Sequence, residues 1–292
     1  MRRHVSQIVA GGIIVLLVYV SWRQAVLTGR SARDRLVAAR SGAPAVAVRY
    51  PSVAFVATCR PSHVASDDPI LRPGIPGASH EHQFFGSRGV AAESVISDLR
   101  ASPTTCDDAA DHASYWLPTV RGAQWTALRA YYSAGQLDPI TIIAYPLGLQ
   151  MIGGPSGAGD TGGATVAWSC DRRVGADGWT AQPPSSCAGG VPLAVRVSFP
   201  QCWDGVGRSS SSVTGVVDGI CPASHPRSLP RLQIRATLSV TPDDFVLSSG
   251  ATVTMHADFW NAWDPIRLAT LVAVCIRGER STNTEITICG SR

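Results

Sequence analysis

The chain is expected to fold as one mainly β domain, a β-sandwich or jelly roll with long disulfide-stapled loops, preceded by a single N-terminal transmembrane helix. Three observations predict this. Short runs rich in β-branched and aromatic residues recur along the chain, separated by Gly and Pro, as at Gly153-Gly154-Pro155 and from Gly157 to Gly163. All eight cysteines lie downstream of one apolar run near the N-terminus. The long helical crossovers that a parallel sheet needs are missing, which makes an α/β fold the weaker alternative.

Residues 1–4 read as a short cytoplasmic N-terminus, with Arg2 and Arg3 preceding the apolar run. Val5 to Trp22 contains only Ser6, Gln7 and Ser21 as clearly polar members, and about 18 residues at 1.5 Å each span a hydrocarbon core. A signal peptidase needs small residues just after such a run, whereas Arg23-Gln24-Ala25 follows. An uncleaved signal anchor at residues 5–22 is therefore expected, with a cleaved signal peptide and a secreted product as the alternative. Arginines on both sides leave the charge rule ambiguous. The cysteines decide the orientation, because an even number confined to the downstream part fits export.

Residues 23–50, rich in Arg and Ala, read as a juxtamembrane tether. Residues 51–292 form the extracytoplasmic β-rich domain. Its expected strands are Val53 to Cys59, Ala127 to Tyr132, Ile140 to Ala144, Val166 to Trp168, Leu193 to Phe199, Leu232 to Val240, Ala251 to Phe259 and Leu268 to Cys275. A short helix is expected from Ala91 to Leu99, and a helical turn near Asp107 to His112. Eight cysteines allow 105 pairings. The expected one joins sequential neighbours: Cys59 with Cys106, Cys170 with Cys187, Cys202 with Cys221, and Cys275 with Cys289. A zinc knuckle is disfavoured, because no Cys-x-x-Cys occurs.

The formal charge of +4 is concentrated near the N-terminus, where residues 1–50 carry eight Arg and one Asp. Beyond them 17 Arg face 20 Asp plus Glu, so the exported part is mildly acidic and no nucleic-acid partner is expected. The expected partners are a polysaccharide and, through the N-terminal helix, a membrane whose anionic headgroups suit the flanking arginines. Lysine is absent, which excludes a phosphate loop of the usual type, and no Gly-x-Ser-x-Gly elbow precedes a helix.

The candidate site rests on two polar-aromatic segments, Ser79 to Gly86 and His256 to Asp264. Each places two metal- or proton-handling side chains at i and i+2, His80 with His82 and His256 with Asp258, and in a strand that spacing puts both on one face. Neighbouring strands would bring four such groups together as a divalent metal site, and His225 could join them. No other cofactor is implied. Asp204 and Asp258, with Glu81 in reserve, could instead act as the acid and base of a glycoside hydrolase. Trp116, Trp203, Trp260 and Trp263, with Asn261 and the histidines His80, His82, His225 and His256, are candidates for lining a polysaccharide groove, since such rings stack on sugar faces.

Asp68-Pro69-Ile70, Pro73-Gly74 and His80 through Gly86, followed by Ser114 to Thr119, Tyr131-Tyr132, Pro146 to Gly153, Phe199 to Gly205, Cys221-Pro222 with His225-Pro226, and His256 to Asp264, occur in a defined order. In that order they resemble the family known as domain of unknown function nineteen ninety-six, over roughly residues 52 to 276. The resemblance implies a secreted or surface-anchored protein, sometimes fused to carbohydrate-binding or wall-sensing modules, with no settled activity. The chain departs from the pattern after Gly205, where an Asp-Ser and two further histidines are usual but Val206 to Val213 is rich in Gly and Ser. Ala257 and Ala262 also stand where the family has glycines. The leading expectation is thus an anchored extracytoplasmic domain that binds a cell-envelope or extracellular polysaccharide. The alternatives are a glycoside hydrolase using the Asp pair and a metal-binding surface protein.

Overall fold

A computed structural model describes residues 54–155, 165–170, 178–239, 244–279 and 289, all within the unit Tyr50–Arg292. The protein is mainly β, with three antiparallel sheets. In chain order the strands are β1 (Ala54–Cys59), β2 (Pro61–Ala65), β3 (His82–Gly86), β4 (Ser114–Pro118), β5 (Trp125–Ser133), β6 (Gln150–Gly153), β7 (Thr165–Ser169), β8 (Ala194–Ser198), β9 (Cys202–Trp203), β10 (Val213–Thr214), β11 (Arg227–Ser228), β12 (Arg231–Leu238) and β13 (Ala257–Trp260). They pair as β1-β5-β12-β8-β7, β10-β9-β11 and β2-β3-β4-β13-β6.

The first sheet follows from alternation. Phe55, Ala57 and Cys59 on β1, Leu128, Ala130 and Tyr132 on β5, and Leu232, Ile234 and Ala236 on β12 are buried, while the residues between them are polar or half-exposed. The third sheet contributes Phe85, Tyr115, Leu117, Met151, Ala257 and Phe259 to the same core. Its opposite face is covered as well. There Phe84, Trp116 and Trp260 form a smaller core with Val90 and Leu99, the last from helix α1 (Ile96–Ala101). The four disulfides pair sequential neighbours, as expected. Such bonds persist in oxidising, extracytoplasmic compartments. Among the described residues no helix is long and apolar enough to cross a membrane. The expected anchor at residues 5–22 and tether at 23–50 lie outside the described residues.

Several expected elements change. Ile140 to Ala144 holds no strand: Asp138 caps a 3-10 turn at Pro139–Thr141 by accepting from the Ile140 N–H. Leu268 to Cys275 is helical, with α2 (Pro265–Leu271) continuing into a π turn at Val272–Ile276. The Asp264 carboxylate accepts from the N–H groups of Ile266 and Arg267, and Pro265 sits in the first turn. The buried Leu268, Leu271, Val272, Cys275 and Ile276 have helical spacing, a signal that outweighs their β-branched composition. Only Ala257–Trp260 of the expected strand at Ala251 to Phe259 is extended, after a 3-10 turn at Thr252–Thr254. The expected helix from Ala91 begins at Ile96, where Asp98 accepts from the Val95 N–H.

Candidate metal centre

The outer face of the third sheet positions the histidines. His82 precedes Phe84 by two residues on β3, and Asp258 precedes Trp260 by two on β13, so both share the face of the smaller core. The two strands are not neighbours, because β4 runs between them. His82 pairs with Pro118 at the end of β4, and Asp258 pairs with Trp116. Carried on by two residues, the second register sets His256 opposite Pro118 from the other side. His80 lies just before β3, and its ring centroid stands 4.2 Å from that of His82 and 5.1 Å from that of His256.

One ring nitrogen from each of His80, His82 and His256 falls within a single 4.8 Å cluster. His82 Nδ1 lies 2.9 Å from the Asp67 carbonyl oxygen and His256 Nδ1 lies 2.8 Å from that of Thr254. A carbonyl only accepts, so each Nδ1 carries its proton and each neutral ring has a bare lone pair on Nε2. Those two Nε2 atoms face each other across 3.3 Å. Between neutral rings this is a contact of two acceptors and no hydrogen bond; a proton or a cation between them would make it attractive. His80 Nε2 is also buried without a partner.

Burial, and then the neighbouring imidazoles, hold the His82 ring far below its ordinary value, down to about 2. The same causes bring His80 down to about 4. His256 is lowered by burial, against opposing contributions from Thr254 and Asp68. Protons are thus poor occupants of the gap.

Asp258 is fully buried, and neither carboxylate oxygen has a hydrogen-bond partner. Its Oδ2 lies 3.5 Å from His256 Nε2. His256 is lowered and Asp258 raised, the latter chiefly by burial and then by Asp68, so burial disfavours the charged forms and works against this contact as an ion pair. Asp258 also stands outside the three-histidine cluster. It is therefore a carboxylate beside His256, not an equal fourth donor as expected from the sequence.

The remaining candidates are placed elsewhere. Glu81 is exposed and accepts from the Thr119 hydroxyl at 2.9 Å. Asp204 closes a turn by accepting from the N–H groups of Val206 and Gly207, and these hydrogen bonds keep it below the usual carboxylate range. Asp204 follows β9 of the three-stranded sheet, whereas Asp258 stands on β13 of the third. His225, half-buried, contacts the Ser224 hydroxyl through Nδ1 at 3.0 Å and does not join the histidine cluster. The tryptophans expected to stack on sugar are enclosed: Trp116, Trp203, Trp260 and Trp263 are all buried. Trp203 Nε1 donates to the Gly207 carbonyl and Trp263 Nε1 to the Tyr132 hydroxyl. Asn261 is buried too, its Nδ2 donating to the carbonyls of Tyr145 and Pro146 and its Oδ1 accepting from the Trp263 N–H. It ties the loop after β13 to the sheet.

Sequence reasoning assigned no role to Asp67, Asp68, Thr254 or Pro118. Asp67 orients His82 through its carbonyl while its carboxylate gathers the N–H groups of Gly77 and Ala92. Asp68, buried, accepts from Ile70 and Leu71 and so folds the covering loop. The available signal was the Asp67-Asp68-Pro69 run, a turn former placed before the histidines. A second cluster, Cys59, Cys106 and Asp111, is no metal site because both cysteines are joined in a disulfide.

The family described as Domain of unknown function (DUF1996) matches residues 68–263, a span that holds all three histidines and Asp258. No curated protein matches. No solved structure matches either.

Proposed function

The chain belongs to the DUF1996 family, and we propose that it is an extracytoplasmic metal-binding protein whose centre is His80, His82 and His256, with the Asp258 carboxyl group beside His256. The observation that carries this reading is the 3.3 Å approach of two Nε2 lone pairs whose rings are both fixed by Nδ1–H bonds to carbonyls. Metal-ligating histidines commonly have their second nitrogen held this way. Two nitrogens bound to one ion at about 2.05 Å, with a tetrahedral angle between them, stand about 3.3 Å apart. Three imidazoles with a carboxylate nearby suit zinc, with copper and nickel as competitors.

Around that centre we place the two five-stranded sheets as a sandwich, anchored outside the membrane by residues 5–22. The Asp204 and Asp258 hydrolase is not carried forward, because Asp204 is committed to its turn and Asp258 to the histidine face.

The test is metal titration of the purified, chelator-treated protein with zinc and with cobalt, whose visible absorption reports the geometry of its ligands. One equivalent bound, with a tetrahedral cobalt spectrum lost in His82→Ala and retained in Asp204→Asn, supports the centre. Absence of uptake by a folded, disulfide-intact protein would overturn it.

A further inference from the structure

The face of the β1-β5-β12-β8-β7 sheet turned away from the core carries an unusual row. Arg235 on β12 pairs directly with Arg129 on β5 and with Arg196 on β8. Neighbouring strands lie about 4.8 Å apart, so three guanidinium stems leave the sheet in a line about 10 Å long. Arg231 stands four residues before Arg235 on the same strand and the same face. Like charges directly opposite one another destabilise a sheet. Yet the arginine ion pairs among the described residues join Arg121 to Asp244, Arg267 to Asp108 and Arg277 to Glu279, and none involves this row.

Among the described residues the row is held in place without carboxylates. Arg235 lies over the Tyr131 ring at 4.6 Å and the Trp179 ring at 5.5 Å, and Arg196 lies over Trp179 at 4.9 Å. Gln233 Oε1 accepts from Arg235 Nε and Nη2, and Gln233 Nε2 donates to the Ser198 hydroxyl. Such contacts fix the planar groups before any ligand arrives. Nε of Arg196 and Nε of Arg231 are buried with no acceptor. Arg231 also lines a cavity of about 160 Å³ with Gln136, Ser198 and Gln201. Burial, then the neighbouring arginines, lower both Arg196 and Arg231 from the usual guanidinium range.

We propose that this sheet face binds an acidic polysaccharide, with Arg129, Arg235 and Arg196 pairing successive carboxylate or sulfate groups and Arg231 taking a further one at the cavity. Charge complementarity defines the class of ligand: a linear set of forked donors without acceptors matches a linear set of two-oxygen anions. A bilayer surface is the poorer match. None of the exposed large apolar side chains lies on these five strands, so nothing there would enter the headgroup layer. The site is independent of the histidine centre, which lies on the other five-stranded sheet.

The experiment measures binding of the full-length protein to polygalacturonate oligomers, to a neutral glucan of equal length, and to vesicles containing phosphatidylserine. The expected result is salt-sensitive binding of the polyuronate alone, weakened about tenfold in Arg235→Gln and in Arg196→Gln. Arg121→Gln, at an exposed ion pair, should leave it unchanged. Equal binding of the neutral glucan, preference for the vesicles, no binding, or equal loss in Arg121→Gln would each overturn the proposal. Partial recovery in Arg235→Lys, which keeps the charge but not the fork, would support it.

Discussion

The two five-stranded sheets turn opposite imbalances away from their shared core. On the third sheet, unpaired acceptors gather: two bare imidazole nitrogens 3.3 Å apart, a third buried beside them, and an Asp258 carboxyl group with neither oxygen bonded. On the first, donors outnumber acceptors, with three arginines in register and two buried Nε groups unmatched. Both arrangements cost folding free energy, since unpaired buried polar atoms forfeit hydration and like groups repel. Their solutions differ. The histidine centre is covered by the segment that Asp67 ties to His82 and Ala92 and suits a small ion, whereas the arginine row, with Arg129 exposed and Arg196, Arg231 and Arg235 half-buried, runs across three strands and suits a polymer.

The largest effect expected from breaking this contrast is at His82. His82→Ala removes one of the two facing nitrogens, and metal affinity should fall at least about a hundredfold, read by titration with a competing chelator. In the parent protein, metal at a hundred times its dissociation constant stabilises the fold by about 2.7 kcal/mol. Thermal unfolding should therefore rise with zinc in the parent and not in the variant. Equal gains in both would move the metal elsewhere.

The same contrast explains how much of the molecule was legible in advance. β1, β5 and most of β12 alternate between core and surface, β8 is a β-branched run with Arg196 alone turned outward, and each was found close to its expected range. β3 and β4 are buried along their whole length, so His82–Gly86 and Ser114–Pro118 lack alternation and gave no strand signal. The histidines were legible as motifs, yet their meeting depends on β4 running between β3 and β13, a matter of pairing that spacing alone does not encode. Tryptophans were taken as sugar platforms because ring chemistry is visible in sequence and burial is not. The arginine row went unseen for a related reason: Arg129, Arg196 and Arg235 are scattered along the chain, and only strand register aligns them.

A smaller effect distinguishes the carboxylate from the imidazoles. Asp258→Asn removes a buried acid whose ionised form burial disfavours, so the chelator-treated variant should be more stable by about 1 kcal/mol at neutral pH, while zinc affinity falls about tenfold. The pH profile sharpens this. The lowered histidines bind fewer protons in the folded state than in the unfolded chain between the folded value, about 4 for His80, and 6.5. Their contribution is present above 6.5 and is lost as pH falls through that window. Asp258, raised, has the opposite sign: its folded form holds the extra proton, and its contribution is lost as pH rises above 3.8. Chemical denaturation of chelator-treated protein should thus show a steeper acid loss in Asp258→Asn than in the parent. An unchanged slope would mean that Asp258 is ionised in the fold.

The smallest effect on stability is expected at Arg235, and its smallness is the point. Arg235→Thr removes two like-charge neighbours, a relief of about 0.2–1 kcal/mol each. It also removes two ring contacts of roughly 0.5–1 kcal/mol each and the bonds to Gln233. Threonine fits a pleated surface well, so the balance should lie within about 0.5 kcal/mol of zero. Polyuronate affinity should nonetheless fall about tenfold, and polyuronate should raise the unfolding temperature of the parent alone. A stability loss above about 1 kcal/mol would instead make Arg235 a structural clasp between Tyr131 and Trp179, and the row a consequence of packing. A loss of binding without a loss of stability separates a surface kept for a ligand from one kept for the fold.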